Sequence, residues 1–124
     1  MTPDKNDGKA SESAFCCDRS ALTPSQLERK IQLGDALHTS IRRTRELPDG
    51  FEFELGTGIH LEDIAEWAAL EHLCCPFFDI GLQLTRDQGP TVLRLTGGPG
   101  VKPFIHAEFG PEWFAKPAEP IRRE

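Results

Sequence analysis

Apolar positions along the chain change their spacing several times, and the changes divide it into seven elements. Leu27, Ile31, Gly34 and His38 fall on one helical face, with Leu33 and Leu37 beside them, which predicts a helix over residues 24–41. Its start carries its own chemistry: Thr23 as N-cap, Pro24 as the first helical residue and Gln26 as the capping-box partner. Residues 42–47 lead into Pro48-Asp49-Gly50, a turn sequence. Beyond it Phe51, Phe53 and Leu55 alternate with Glu52 and Glu54, the period of a strand with one face buried and an acidic face in water. These two segments predict a first hairpin.

Helical spacing returns with Leu61, Ile64, Ala65, Ala68 and His72, widened by Trp67 and Leu70, and predicts a second helix over residues 61–74. Pro76 stops it, because a proline pushes the residue before it out of the helical region. Leu82 and Leu84 alternate with Gln83 and Thr85, residues 87–90 turn the chain, and residues 92–96 return as the other half of a second hairpin. After the break at Gly97-Gly98-Pro99-Gly100, residues 101–109 predict a short last helix closed by Gly110.

The order is therefore αββαββα, an α+β fold: a four-stranded antiparallel sheet from two hairpins, packed against helices that cover its apolar face. The polar residues 1–14 read as a disordered leader. Residues 15–110 read as one α+β domain. Residues 111–124, with Pro111, Pro117 and Pro120, read as a loose tail that Trp113 and Phe114 would pin. A chain of 124 residues has the size of one domain.

Composition narrows the function classes. Hydrophobic residues make up 38% and charged residues 27%, and no apolar run approaches the roughly 20 residues that span a bilayer. The first residues lack the apolar core of a signal peptide, so the expected location is cytoplasmic, away from membranes. Net charge is −6, and Arg42, Arg43 and Arg45 are the nearest approach to a basic stretch, which argues against direct nucleic-acid binding. Gly-Gly-Pro-Gly lacks the Lys-Ser/Thr of a phosphate loop, and no Ser/His/Asp or paired-carboxylate pattern points to a hydrolase.

The cysteines do change the picture. All four occur as adjacent pairs, Cys16-Cys17 and Cys74-Cys75. In a reducing compartment such a pattern points to metal binding or redox chemistry rather than to permanent structural disulfides. Cys74 and Cys75 fall at the predicted C-terminal end of the second helix, where partial negative charge suits a bound cation better than a nucleophilic thiolate. Adjacent helical residues point about 100° apart, but a break at Pro76 frees both sulfurs to face one point. Glu71 shares that helix face and His72 lies close in sequence. The candidate ligands are thus Cys74, Cys75, Cys16, Cys17, Glu71 and His72, for a soft ion such as Zn(II), Cu(I), Hg(II) or As(III). Two alternatives stand beside this reading: a thiol–disulfide switch or thiol enzyme, and an interaction or ligand-sensing domain whose cysteines are only core.

The segments Glu46-Leu-Pro-Asp-Gly-Phe51, Trp67-Ala-Ala-Leu-Glu-His-Leu-Cys-Cys-Pro-Phe-Phe78 and Leu93-Arg-Leu-Thr-Gly97 together resemble a little-characterised small bacterial family. Its members share a Glu-x-x-Cys-Cys-Pro-Phe motif and sometimes stand beside or fused to MerR-type regulators. The resemblance spans about residues 24–109 and maps the motif onto Glu71, Cys74, Cys75 and Pro76. It implies a link to metal or thiol stress. The expectation is a binding protein more than an enzyme, acting in metal resistance, sensing or trafficking, with a second copy of itself and a MerR-type regulator as partner candidates.

Overall fold

The structure, a computed structural model, describes residues 18–114. A 3₁₀ turn over Arg19–Ala21 leads into α1 (Pro24–Thr39), β1 (Ile41–Leu47), β2 (Gly50–Leu55), α2 (Leu61–Cys74), β3 (Asp79–Leu84), β4 (Thr91–Thr96) and α3 (Val101–Phe109), and a second 3₁₀ turn follows over Pro111–Phe114. The αββαββα order and the four-stranded sheet from two hairpins are present. All neighbouring strands are antiparallel, in the order β1-β2-β4-β3.

The period-two pattern decides which face of the sheet is covered. Phe51 pairs with Leu95 and Phe53 with Leu93. These residues join Leu33 and Leu37 of α1, Ile64, Trp67 and Leu70 of α2, and Val101 and Ile105 of α3 in one buried cluster. The opposite face is polar and paired across strands. Glu52 lies between Arg45 on β1 and Arg94 on β4, accepting from Arg45 Nε at 2.8 Å and meeting the Arg94 guanidinium at 2.8 Å.

Several boundaries depart from the spacing. The periodicity carries the first helix to residue 41, but α1 ends at Thr39, because Ser40 caps it with its N–H directed to the Leu37 carbonyl and Ile41 already pairs with Leu55. β3 begins at Asp79 rather than Leu82, since Ile80 is in register with Leu95. Packing also runs past residue 110. Trp113 is buried, 5.3 Å from the Phe53 ring and 5.6 Å from Trp67, and its carbonyl accepts from Thr44 Oγ1 at 2.8 Å.

The Thr23–Gln26 capping box is formed, with Pro24 inside the first turn. The helical face of α1 is turned from the expected one. Ile31 is 53% exposed, whereas the Lys30 side chain is 16% exposed, so Lys30 rather than Ile31 occupies the inner side of the helix. The reason lies in the site described next.

Candidate metal centre

Glu71 and Cys74 are one helical turn apart at the end of α2, so they share a face. Cys75 is the C-cap, with φ −133° and ψ 74°, yet its N–H still donates to the Glu71 carbonyl at 2.8 Å. This is the effect of Pro76. The chain leaves the helix at the residue before the proline while keeping the last helical hydrogen bond, and the change of direction swings Cys75 back beside Cys74. Their Sγ atoms are 3.8 Å apart.

Ligand atoms of Glu71, Cys74 and Cys75 all lie within 4.8 Å of one another, and all three residues are buried. This buried Glu-Cys-Cys group could hold a metal ion. His72 is exposed and falls outside the group. Cys16 and Cys17 lie outside the described residues. The chain nevertheless enters the domain at this spot, because the N–H of Asp18 donates to the carbonyl of Cys74 at 2.8 Å. The Asp18 carboxylate in turn accepts from the Ser20 N–H at 3.1 Å, anchoring the first 3₁₀ turn against the end of α2.

Lys30 completes the electrostatics. Its Nζ lies 3.0 Å from Glu71 Oε1, reaching across from α1. A carboxylate at zero exposure is costly unless a cation accompanies it, and Lys30 supplies one from an otherwise apolar helix face. Sequence reasoning missed this residue. Its only trace is a lysine at the same helical face as Leu27, Leu33 and Leu37, where an apolar residue is the usual occupant.

The oxidation state matters to the chemistry. Cys75 is disulfide-bonded, while Cys74 keeps its thiol. A sulfur engaged in a disulfide is not a thiolate ligand, so the three-donor group is complete only in the reduced protein.

The chain matches no family model, and neither a curated protein nor a solved structure is significantly similar to it.

Proposed function

We propose that the reduced protein binds a soft divalent ion of the zinc type through Cys74 and Cys75, with Glu71 as third donor. The observation that carries this reading is the 3.8 Å separation of the two sulfurs beside a buried carboxylate. With each sulfur about 2.3 Å from a metal, tetrahedral angles put two sulfurs about 3.8 Å apart, whereas linear two-coordination demands about 4.6 Å. The separation matches the bite of a tetrahedral site, so once the Cys75 disulfide is reduced the pair favours Zn(II) over a two-coordinate Cu(I) or Hg(II) centre.

Charge supports the same choice. Two thiolates and the Glu71 carboxylate carry three negative charges, and Lys30 returns one positive charge. A divalent ion offsets more of this charge than a monovalent one, where burial makes net charge expensive. Core packing alone accounts for buried cysteines but gives no reason to bury a carboxylate against them. In this reading the protein captures an ion for sensing, trafficking or resistance, and a MerR-type regulator is the partner that the family resemblance suggests.

The test is a titration of phosphine-reduced protein with Zn(II), Cd(II), Cu(I) and Hg(II) while reactive thiols are counted. Zn(II) should protect two or more thiols, with Glu71→Gln weakening the affinity and Cys74→Ser abolishing it. Protection by none of the ions rejects the proposal.

The disulfide at Cys75 favours a second reading, a thiol–disulfide switch. Mild peroxide would oxidise Cys75 and one further thiol to the disulfide, the peroxide being reduced to water as the two thiol protons leave. Mass spectrometry of peroxide-treated protein should then show a linkage from Cys75 to Cys16 or Cys17. Thiols that stay unreactive at every peroxide concentration remove this reading.

A further inference from the structure

The two edges of the sheet are built differently. β1 carries Arg42, Arg43, Arg45 and Glu46, and its register slips between Ile41 and Arg43. Charges and irregularities are how proteins keep an edge strand from pairing with another chain. β3 has neither. Its pairing with β4 runs unbroken from Asp79 to Leu84, and Asp79 at its very start is its one charge. Among the described residues no strand pairs with its outer edge.

The face above that edge is also unfinished. Ile80, Leu82 and Leu84 are in register with Leu95, Leu93 and Thr91, so they lie on the apolar side of the sheet. Leu82 is nevertheless 37% exposed and Leu84 61% exposed, and Leu73 of α2, a helix that contacts β3, is 52% exposed. The apolar face thus continues past the helices and ends in water at the strand that lacks protection.

We propose that β3 is a self-association edge, at which a second copy of this chain adds its own β3 in antiparallel fashion to make one eight-stranded sheet. The choice of a second copy rests on self-complementarity. A two-fold axis through Leu82 sets Leu82 against its own counterpart, Ile80 against Leu84 and Gly81 against Gln83, with Asp79 opposite Thr85. No like charges meet: the pairs within residues 80–84 match apolar with apolar or neutral with neutral, and the one charge, Asp79, faces the neutral Thr85. This is what an isologous contact requires, since each residue must suit its symmetry mate. A net charge of −6 opposes association elsewhere on the surface, while β3 carries a single charge, Asp79, at its start. The contact lies at an edge of the sheet and does not depend on the metal reading.

Sedimentation equilibrium of the full chain in excess phosphine, which removes intermolecular disulfides, tests it. The wild type should approach about twice the monomer mass of 13.8 kDa at micromolar concentration. Leu82→Lys, which sets like charges against each other at the two-fold, and Leu84→Lys, which sets a charge against the apolar Ile80 of the other copy, should weaken dimerisation on the order of a hundredfold or more with unchanged far-ultraviolet circular dichroism. Leu84 is the more exposed, so its variant keeps the test valid if Leu82→Lys fails to fold. A wild type that stays monomeric, or a dimer indifferent to Leu84→Lys, overturns the proposal.

Discussion

Lys30 Nζ lies 3.0 Å from Glu71 Oε1, and this one contact joins α1 to the cysteine end of α2 inside the core. Removing the cation alone takes the Lys30 charge away from a fully buried carboxylate. Lys30→Met is therefore expected to lower stability by about 3 kcal/mol, while Lys30→Met combined with Glu71→Leu recovers most of that loss. Urea unfolding of the two single variants and the double variant measures the coupling. A Lys30→Met protein as stable as wild type would show that the pair is incidental.

Metal binding predicts a linkage effect on the same curves. With free Zn(II) at about one hundred times its dissociation constant, reduced protein should gain about 2.7 kcal/mol against unfolding. Cys74→Ser should gain almost nothing, and neither should protein in which Cys75 remains in its disulfide. Equal stabilisation of oxidised and reduced protein would place the ion somewhere other than this site.

Two glycines should respond in opposite directions. An added methyl at Gly34, inside α1, meets Trp67 Nε1 at 3.6 Å, an ordinary contact, so Gly34→Ala should stabilise by about 0.5–1 kcal/mol through the helix backbone. At Gly50 the same methyl would lie 1.9 Å from the Leu95 carbonyl oxygen of the paired strand. Gly50→Ala is expected to cost on the order of 3 kcal/mol or to prevent folding. Thermal unfolding of both variants checks the sign.

Acid should weaken the tie between α1 and α2. The hydrogen bond from Arg29 holds the Glu66 carboxyl below its ordinary range, and the hydrogen bond from Lys102 does the same for Glu46. Groups with a depressed folded-state value contribute stability above the unfolded value, about 4.3 for glutamate, and lose it as pH falls through the folded value. Both carboxylates are at the surface, so the contribution is small and fades in salt. Urea midpoints should fall less steeply between pH 6 and pH 3, by a small margin, for Glu66→Gln than for wild type; identical slopes at low salt would show that the Arg29 contact is not formed in solution.

The elements were legible because their signals are local. The Thr23-Pro24-Gln26 start, the Phe51–Leu55 strand and the stop at Pro76 each rest on neighbours within a few residues and are present, although Glu52, read as facing water, is buried between Arg45 and Arg94. The face of α1 was not. Setting Ile31 inward is the sound choice for an isolated helix, and it errs by one residue, about 100° of rotation, because Lys30 is drawn in by a carboxylate on a different helix. Partnership between distant residues leaves no periodic trace. For the same reason the sequence placed Glu71, Cys74 and Cys75 on one helix end but could not bring in the cation that accompanies them, nor set His72 apart. The tail was legible in part. Trp113 and Phe114 were read as its pins, and Trp113 is buried, but that it packs against Phe53 and Trp67 depends on a hollow that the whole fold supplies.

The hydrogen bond from the Asp18 amide to the Cys74 carbonyl has a practical consequence. Asp18 docks on the helix end that carries the sulfurs, so this contact and the sulfur site share Cys74. A change that displaces Asp18 therefore acts directly on the last turn of α2. Surface immobilisation for ion-binding measurements is better made away from this end, where the handle and the instrument's reading are not coupled through Cys74.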